Sequence, residues 1–501
     1  MPLMPGGQVV NVTEKDGALP VTKVSEGGAD YIDWSQGGET LYWSMGPTLY
    51  RASTAAMFPT SPPEDDATGF TPPTSGVGLS MTIRADRPTG TTVLTGARIL
   101  TMAGEGAQAI ENGAIVISGN RIAAIGTVSD IAVPSGARII DVSGKTIMPG
   151  LVDAHAHGPQ GRGDLIPQQN WAQVQQLAMG TTTIHDPSSS ASMIFAASER
   201  QRAGQLLAPR IFSTGEIVYG AKAASVYARI DSYADAIAHV RRLKSQGGIS
   251  VKNYNQPRRE QRQQVARAAA AENMLVVAEG GSLFGMDMNL VADGNSTVEH
   301  NVPVDVMYED VLQFFSGSQT NYTPTLVVTY GGLAGDPYWR QATDVFDNPL
   351  LIHTPPKQLL AATARRTKAP EWAFVDDNAA REAKKLADRG VKVSIGAHGQ
   401  QAGVAAHWEL WSFVRGGMSP VEALRAGTIE PAKSLGMSRD IGSLEVGKLA
   451  DLIVLDADPT VDIRNSDKIS RVMLGGRLYD AVTMNEVETG SNARLPYWWE
   501  E

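Results

Sequence analysis

The sequence predicts an α/β protein with a TIM-type (β/α)8 barrel in the middle of the chain, a small composite β-sandwich formed by both flanks, and an N-terminal β-hairpin-rich segment. Three observations lead to this prediction. Strand-like and helix-like runs alternate through the middle, short glycine-punctuated strand-like runs lie on both sides of it, and a hairpin pattern occurs near the start. A chain of 501 residues is long enough for several such units.

The composition narrows the classes of function. The chain carries 43 Lys and Arg against 53 Asp and Glu, a formal net charge of −10, which argues against nucleic-acid and membrane partners. It has no cysteine, which excludes disulfide scaffolds, zinc–cysteine sites, iron–sulfur clusters and thiol nucleophiles. The N-terminus has no signal-peptide pattern and no long apolar run occurs, so we expect a cytoplasmic protein. A periplasmic or secreted location stays open if the natural precursor is longer.

Residues 1–80 predict a β-rich segment followed by a linker. The run from Tyr31 to Ser44 contains two alternating stretches around a Gly37-Gly38 turn, which is typical of a β-hairpin. This run resembles the outer hairpin of one blade of a TolB-like β-propeller, and a lone blade cannot bury its own apolar face. We therefore expect the segment to pack on the rest of the chain or on a second subunit, which favours a homo-oligomer, or to be the remnant of a longer propeller.

The two strand-rich flanks predict one β-sandwich, with its first half in residues 81–148, its second half in residues 438–486, and a tail at 487–501. Short apolar or alternating runs separated by glycine mark its strands. These runs are Val93–Met102, Gly113–Ser118, Arg121–Gly126, Ala450–Leu455 and Val472–Leu478.

Residues 149–437 predict the barrel, because eight strand-like runs alternate there with helical runs such as Arg258–Glu272. A TIM-type barrel typically takes about 250 residues, so the length fits. The first strand ends at Asp153 and the other seven are Thr181–Ile184, Arg210–Ser213, Ile249–Lys252, Leu275–Ala278, Thr297–Glu299, Leu326–Val328 and Val391–Ile395. Catalytic side chains in such barrels follow the C-terminal ends of the strands.

A His-x-His pair follows the first of these strands. His155 and His157 lie two residues apart, and side chains at this spacing on a strand point to the same face. Both imidazoles can therefore reach one metal ion. Their position after an apolar strand at the barrel mouth favours this interpretation over two packed or surface histidines.

Three motifs in this order resemble the signature of the amidohydrolase superfamily, in the branch that contains imidazolonepropionase and prolidase-like hydrolases. They are the runs Thr146–His157, Gly417–Leu424 and Gly442–Leu455, within a likeness that spans residues 93–485. The resemblance implies a metal-activated water that attacks a carbonyl or a similar electrophile. It implies Zn²⁺ as the cofactor, as one or two ions, with other divalent metals open.

The resemblance also implies a set of metal ligands. It places His155 and His157 on the first metal and His300 after the sixth strand. It makes Lys252, at the end of the fourth strand, a carboxylated lysine, whose anionic carbamate can bridge two metals where a bare ammonium cannot bind a cation. An unmodified lysine at the strand end is the alternative.

Two positions depart from the family pattern. The fifth strand is followed by Glu279, where the family usually presents a histidine, and the eighth by His398, where it usually presents an aspartate. Glu279 can ligate through oxygen, and His398 can act as a base or an extra ligand because imidazole titrates near neutral pH. The histidine and the acid of the family pattern have thus exchanged places between the fifth and eighth strands. We interpret this as an active site with altered properties and not as an inactive one. The predicted metal ligands are His155, His157, Lys252, Glu279, His300 and His398, with His398 and Lys252 as catalytic residues.

Five side chains near the strand ends are candidates for substrate contact. They are His185, Tyr219, Tyr254, Arg258 and Tyr322. A tyrosine hydroxyl can polarise a carbonyl, and an arginine can bind a substrate carboxylate. Packing is the alternative for the tyrosines, and a place on the surface at a helix start is the alternative for Arg258.

Together these features predict a metal-dependent hydrolase that cleaves an amide-type C–N bond in a peptide, an N-acyl amino acid or a cyclic amide. Esters, carbamates and phosphotriesters stay open as substrates because the acid after the eighth strand is missing. A metal-poor scaffold protein on the same frame, and a decarboxylase or isomerase, are the other hypotheses. No dinucleotide-binding, P-loop or zincin motif occurs.

Overall fold

A computed structural model describes residues 21–59, 69–161, 165–220, 228–254, 256, 258–281, 283–364 and 368–500 of the chain. Within these ranges strands and helices are mixed, as the sequence predicts for an α/β protein. None of the helices there is both long and apolar enough to cross a membrane.

The elements are numbered in chain order. The strands are β1 (Asp30–Trp34), β2 (Thr40–Met45), β3 (Thr48–Ser53), β4 (Val77–Gly78), β5 (Thr91–Leu100), β6 (Ala109–Ser118), β7 (Arg121–Thr127), β8 (Arg138–Asp141), β9 (Thr146–Pro149), β10 (Leu151–Asp153), β11 (Thr181–Asp186), β12 (Arg210–Ser213), β13 (Val218–Tyr219), β14 (Ser250–Tyr254), β15 (Leu275–Glu279), β16 (Thr297–Glu299), β17 (Asn321–Thr323), β18 (Leu452–Leu455), β19 (Ile469–Leu474) and β20 (Arg477–Asp480). The helices are α1 (Thr54–Met57), α2 (Trp171–Ala178), α3 (Ala191–Arg202), α4 (Tyr233–Gln246), α5 (Arg259–Ala271), α6 (Phe284–Ala292), α7 (Glu309–Ser318), α8 (Gly335–Ala342), α9 (Pro356–Ala364), α10 (Asp376–Ala387), α11 (Val404–Arg415), α12 (Pro420–Ala426) and α13 (Ile429–Ser434). Short 3₁₀ helices lie at Leu326–Val328, Val345–Asp347, Pro349–His353, Glu371–Ala373 and Ile463–Asp467.

The N-terminal strands form an antiparallel sheet in the order β1-β2-β3-β4. Strands β1 and β2 make the hairpin that was predicted around Gly37-Gly38. Trp43 of β2 is buried and stacks on Tyr50 of β3, with 5.8 Å between the ring centroids. Gln246 at the end of α4 donates a hydrogen bond to Asp30 Oδ2 at 3.0 Å. The sheet thus contacts the rest of the chain, as expected for a segment that cannot bury its own apolar face.

Strands from both flanks share a second sheet, in the order β20-β19-β18-β9-β5-β6-β7 with β8 beside β5. The two flanks meet where β18 runs antiparallel to β9, with Leu452 opposite Pro149. Apolar side chains from both flanks, among them Leu94, Ile147 and Val454, form one buried cluster. The short alternating runs of the sequence therefore mark strands, and strands from both flanks share one sheet, whereas the sandwich stays a prediction.

The middle of the chain holds parallel strands in two hydrogen-bonded groups, β10-β11-β12 and β13-β14-β15-β16-β17, with helices between them in sequence. Backbone hydrogen bonds connect the groups to each other and to the segment before His398. Ile249 N donates to Ser213 O at 3.4 Å, and Ala154 N donates to Ile395 O at 3.2 Å. Because the strands are parallel, their C-terminal ends lie on one side, and the candidate site residues follow those ends.

The prediction for the seventh barrel strand is wrong in position. Leu326–Val328 is a 3₁₀ helix, and the strand is β17 (Asn321–Thr323), five residues earlier. Pro324 has no N–H for a ladder, and Thr325 adopts a φ of 48°, so the extended chain ends there. The apolar triplet packs inward, where Val327 N donates to Glu409 Oε1 of α11 at 2.7 Å.

The predicted eighth strand, Val391–Ile395, is reduced to an isolated parallel bridge between Val393 and Tyr322. Flanking backbone bonds still hold the segment beside β17, since Tyr322 N donates to Lys392 O at 3.0 Å. The segment therefore occupies the expected place without forming a regular strand. It delivers His398 to the same side as the other candidate ligands.

Candidate metal centre

Four imidazoles from three separate parts of the chain meet beyond the strand ends. They belong to His155 and His157 after β10, His300 after β16, and His398 after the irregular eighth segment. The ring centroids of neighbouring members lie between 4.8 and 5.1 Å apart. The structure thus brings together all four histidines that the sequence singled out as metal ligands, and we call them the histidine cluster.

Two members of the histidine cluster are held in an unusual backbone conformation. His300 has a φ of 69° and His398 a φ of 55°, in the left-handed region that non-glycine residues adopt at a cost of roughly 1–3 kcal/mol. Backbone bonds enforce this conformation: His300 N donates to Thr323 O, and His398 N to His155 O, both at 2.8 Å. Strain that is stabilised by its surroundings is typical of functional sites.

Two buried carboxylates hold the backbone that leads into His398. Gly396 N donates to Glu409 Oε2 at 3.2 Å, and Ala397 N donates to Asp153 Oδ1 at 3.1 Å. The same Asp153 oxygen accepts a hydrogen bond from His155 N at 3.2 Å. Asp153 therefore fixes the first and eighth segments to each other at the point where each presents a histidine.

Three of the cluster histidines have a polar partner behind the ring at Nδ1. His155 Nδ1 lies 2.6 Å from Glu299 Oε2, and His157 Nδ1 lies 3.2 Å from Asp186 Oδ1. His300 Nδ1 lies 2.6 Å from Thr325 Oγ1. This arrangement directs the Nε2 atoms to the inside of the cluster, and metal-ligating histidines typically have such partners at the other ring nitrogen.

None of these three partners was predicted as a site residue from the sequence. A signal for two of them existed, because Asp186 and Glu299 are acidic residues at the ends of β11 and β16. Acids at barrel strand ends are candidates for the site by the same rule that selected the histidines. Thr325 carried no comparable signal, because it follows a proline and precedes the misplaced strand.

Lys252 and Glu279 form an ion pair at the edge of the histidine cluster. Lys252 Nζ lies 2.6 Å from Glu279 Oε2, and Glu279 Oε1 lies 2.8 Å from His300 Nε2. The two residues come from neighbouring parallel strands, β14 and β15, and their side chains are only 4% and 10% exposed. Glu279 therefore connects Lys252 with the histidine cluster.

The electrostatics of the site favour neutral imidazoles at His155 and His398 and an ionised Glu279. Burial lowers the pKa of His155 well below its usual value. Burial and the neighbouring His157, His300 and Lys252 lower the pKa of His398 to about 3. Burial alone would raise the pKa of Glu279, but the hydrogen bond with His300 and the charge of Lys252 outweigh it and lower the pKa to about 2.

These residues fit a divalent metal ion. His155, His300 and His398 each offer one ligand atom, and these atoms all lie within 4.8 Å of one another. His155 Nε2 and His157 Nε2 are 3.1 Å apart, a distance at which two lone pairs repel unless a cation or a proton lies between them. Neutral imidazole nitrogen is a ligand that suits zinc and other late transition metals.

Two of the candidate substrate residues lie beside the ion pair. Tyr219 and Tyr254 stack with 5.0 Å between ring centroids, and the Tyr254 ring lies 5.4 Å from Lys252 Nζ. Both side chains are half-buried. A third aromatic ring, that of Tyr330, lies 5.4 Å from the His300 ring. Aromatic surface therefore borders the site next to Lys252 and next to His300.

The other candidate substrate residues have partners within the protein. His185 is fully buried, and its ring nitrogens lie 3.1 Å from Ala154 O and 2.8 Å from Ser250 Oγ. The Tyr322 hydroxyl is buried and accepts a hydrogen bond from Val302 N. Arg258 precedes α5, is mostly exposed, and pairs with Glu260 at 3.0 Å. These placements favour structural roles for His185 and Tyr322 and a surface role for Arg258.

Comparison with known proteins gives one family and several relatives. Residues 146–479, more than half of the chain, match the model of the amidohydrolase family. A 5-methylthioadenosine/S-adenosylhomocysteine deaminase of Symbiobacterium thermophilum is 24% identical over 449 residues, which cover 81% of this chain and 93% of the relative. An imidazolonepropionase of Brevibacillus brevis is 23% identical over 380 residues, which cover 69% of this chain and 84% of the relative.

A solved structure agrees in fold. The crystal structure of a putative prolidase from Bifidobacterium longum superposes with a TM-score of 0.61, covering 78% of this chain and 94% of that chain, at 22% identity. At this level of identity the likeness shows the fold. The superposition extends over most of the chain and is not limited to the matched motifs.

Proposed function

The chain belongs to the amidohydrolase family, and on this premise we propose that it is a metal-dependent hydrolase of amide-type C–N bonds. The histidine cluster carries this proposal, because four imidazoles converge and three of them are oriented by a partner at Nδ1 that turns Nε2 inward. The names of the deaminase, imidazolonepropionase and prolidase relatives all refer to reactions at C–N bonds. The reactions named for these relatives and the imidazole ligands of this site therefore both fit a metal-dependent hydrolase.

The histidine cluster would hold the ion, with Zn²⁺ as the proposed metal. A divalent zinc ion bound there would lower the pKa of a water molecule to about 7 and polarise the scissile carbonyl. The Nδ1 partners Glu299, Asp186 and Thr325 keep the rings in place. His398 is the candidate that can accept a proton from this water or act as an extra ligand, whereas Glu279 already pairs with Lys252 and His300.

The aromatic rings beside the cluster would position the substrate. The stacked Tyr219 and Tyr254 offer a flat surface next to Lys252, and Tyr330 offers another next to His300. A flat surface suits planar groups such as an amide or an aromatic side chain, and a tyrosine hydroxyl can donate to the carbonyl oxygen. We therefore propose N-acyl amino acids, peptides with a C-terminal aromatic or proline-like residue, and cyclic amides as substrate classes.

The proposed frame for this site is a closed (β/α)8 barrel with a composite sandwich on its flank. Support comes from the bonds between Ile249 and Ser213, between Ala154 and Ile395, and between Tyr322 and Lys392, which link successive groups of parallel strands into a ring. In a closed barrel the histidine cluster lies at the C-terminal mouth, where the active sites of such barrels occur. The flank sheet then forms the second unit.

The test combines metal analysis with activity. Purified protein is measured for bound zinc and assayed against a panel of N-acyl amino acids and dipeptides, before and after chelation and after zinc is added back. We expect activity to be lost with the metal and restored by zinc. His155→Ala is expected to lose both, whereas His239→Ala on α4, away from the cluster, keeps both.

Three results would contradict the proposal. Full activity after complete chelation would overturn the metal-dependent mechanism. Folded protein that binds no divalent metal would favour the alternative of a scaffold on an amidohydrolase frame. Turnover without net hydrolysis, found by product analysis, would instead indicate a decarboxylase or an isomerase.

A further inference from the structure

We propose that Lys252 stays an unmodified ammonium with Glu279 as its counter-ion, and that the histidine cluster holds one divalent ion instead of a lysine-bridged pair. The inference rests on the proposed function and specifies the metal content of the same site. It departs from the carboxylated lysine that the family resemblance implies. The departure follows from the exchange of histidine for glutamate after the fifth strand.

The geometry of the Lys252–Glu279 pair favours an ammonium on Lys252. Lys252 Nζ and Glu279 Oε2 are 2.6 Å apart, and both side chains are almost enclosed by protein. The strands that carry them are direct neighbours, with Lys252 opposite Val277 two residues before Glu279. A buried ammonium needs a partner of opposite charge, and the neighbouring strand supplies it.

A carbamate on Lys252 would place a second negative charge beside Glu279. Carboxylation requires the ammonium to lose a proton and the resulting amine to add CO₂ with release of a second proton, so the positive partner of Glu279 would become a negative carbamate. Before a metal ion binds, two anions would then share the buried space that the ion pair now occupies. A histidine at the position of Glu279, as in the family pattern, would leave room for that negative charge.

The ring of Tyr254 beside Lys252 also favours a positive charge on the lysine. Lys252 Nζ lies 5.4 Å from the centroid of the Tyr254 ring. The face of an aromatic ring carries negative electrostatic potential, which attracts a cation and repels an anionic group. The ring and the carboxylate of Glu279 therefore both favour the ammonium over the carbamate.

The ion count follows from the donors that remain. A lysine carbamate holds two metals together because its two oxygens reach one ion each. Without it, the inner face of the cluster in the described residues presents imidazole nitrogens and one carboxylate that is already paired with Lys252 and His300. Three imidazoles satisfy one zinc ion with a position left open for water.

The test measures metal content and modification directly on the whole protein. Metal-free protein is reconstituted with zinc in CO₂-free buffer and, in parallel, with ¹³C-labelled bicarbonate. We expect one zinc per chain in both samples, measured by mass spectrometry of the metal, and no carbamate resonance in the ¹³C spectrum. Two zinc ions per chain or a carbamate resonance would overturn the inference and leave the proposed hydrolase intact, whereas no bound zinc would overturn both.

Two variants separate the competing states. Lys252→Arg keeps a cation beside Glu279 and cannot be carboxylated, so we expect it to fold and to bind one zinc. Loss of zinc in a folded Lys252→Arg protein would contradict the inference.

Glu279→His removes the counter-ion, and we expect it to gain a second zinc and a carbamate resonance only when bicarbonate is present. If Glu279→His stays at one zinc with bicarbonate, Glu279 is not what prevents carboxylation.

Discussion

The individual histidines of the cluster depend on the residues behind them. His155 and Glu299 are 144 positions apart in the chain, yet their side-chain atoms lie 2.6 Å from each other. Burial raises the pKa of Glu299 to about 8, so this carboxylate is easily protonated. A metal ion bound at Nε2 of His155 favours the form of the ring in which Nδ1–H donates a hydrogen bond to the ionised carboxylate. The affinity of the site for metal is therefore coupled to Glu299.

We expect Glu299→Gln to weaken zinc binding by about 10- to 100-fold, because the amide is a poorer acceptor for the imidazole N–H. Competition with a chromogenic chelator measures this affinity. Glu105→Gln, at an exposed position in the loop after β5, is the matched control and should bind zinc like the wild type. Equal affinities of all three proteins would contradict the role of Glu299.

Asp287 of α6 is expected to make the stability of the folded protein depend on pH. It is buried, accepts a hydrogen bond from Gly281 N at 2.8 Å, and burial raises its pKa from 3.8 to about 7. The unfolded carboxyl ionises at the lower pKa, so the wild type loses stability as the pH rises from about 4 to about 7. Asp287→Asn keeps the acceptor and cannot ionise.

The variant should therefore melt higher than the wild type at pH 8, by about 2 °C or more, with a smaller gain at pH 5. Thermal denaturation at both pH values checks this. A gain that is the same at both pH values would show that the ionisation of Asp287 is not responsible.

Helix α11 acts as an element that joins two others. Residues Val404 to Phe413 are all buried, and Glu409 among them accepts hydrogen bonds from Val327 N and Gly396 N. One carboxylate thus fixes the turn after β17 and the segment that ends in His398. Burial raises the pKa of Glu409 well above its usual value, although the two backbone donors oppose this effect.

Replacing this carboxylate should loosen both segments. Glu409→Gln turns an NH₂ group toward one of the two backbone donors, and an unsatisfied buried donor destabilises by about 1–3 kcal/mol. We expect a lower melting temperature and weaker zinc binding, measured by thermal denaturation and by metal titration. Glu199→Gln, exposed on α3, should leave both unchanged. Lower stability with unchanged zinc binding would mean that Glu409 does not position His398.

The elements that the sequence predicted best are those with a clear period. The alternating runs of the flanks became β5, β6, β7, β18 and β19, and the run at Arg258–Glu272 became α5. The seventh strand was misplaced because Leu326–Val328 has the composition of a strand, while the backbone break at Thr325 has no sequence signal stronger than one proline. The ion pair of Lys252 and Glu279 was missed for another reason: strand ends identify which residues enter the site but not which of them touch.

A buried ion pair connects the parallel strands of the middle of the chain with the flank sheet. Arg210 of β12 donates to both carboxylate oxygens of Asp451, at 2.8 and 3.0 Å, and Gly475 N donates to the same carboxylate at 2.7 Å. The Asp451 side chain is 4% exposed and that of Arg210 is 20% exposed. The parallel strands and the flank sheet therefore share a charge pair to which each contributes one member.

We expect Asp451→Ala to destabilise the protein by about 3 kcal/mol, because it leaves the Arg210 charge largely buried without a partner. Asp456→Ala, which removes an exposed partner of Lys145 just beyond β18, is the matched control and should change stability little. Thermal denaturation compares the two variants. Equal effects would show that the pair does not couple the parallel strands and the flank sheet.

At the scale of the molecule, the sequence was sufficient for the family and for the mixed α/β class, since both rest on ordered motifs and periodic runs. The two flanks were predicted to form one β-sandwich; the pairing of β18 with β9 shows that they meet in a sheet, and the sandwich itself stays a prediction. The propeller-like character of the N-terminal sheet and the homo-oligomer stay predictions. They depend on surfaces that only a partner or a longer chain would define.

The pairing of β18 with β9 also has a consequence for biosynthesis. Strand β9 leaves the ribosome long before Leu452–Leu455 is translated, so the edge that β18 covers stays open on the nascent chain. An open, apolar strand edge can recruit another chain, and crowded polysomes bring such chains together. Expression of this protein should therefore depend on chaperones that act during translation, and products released before Leu452 are expected to accumulate as inclusion bodies.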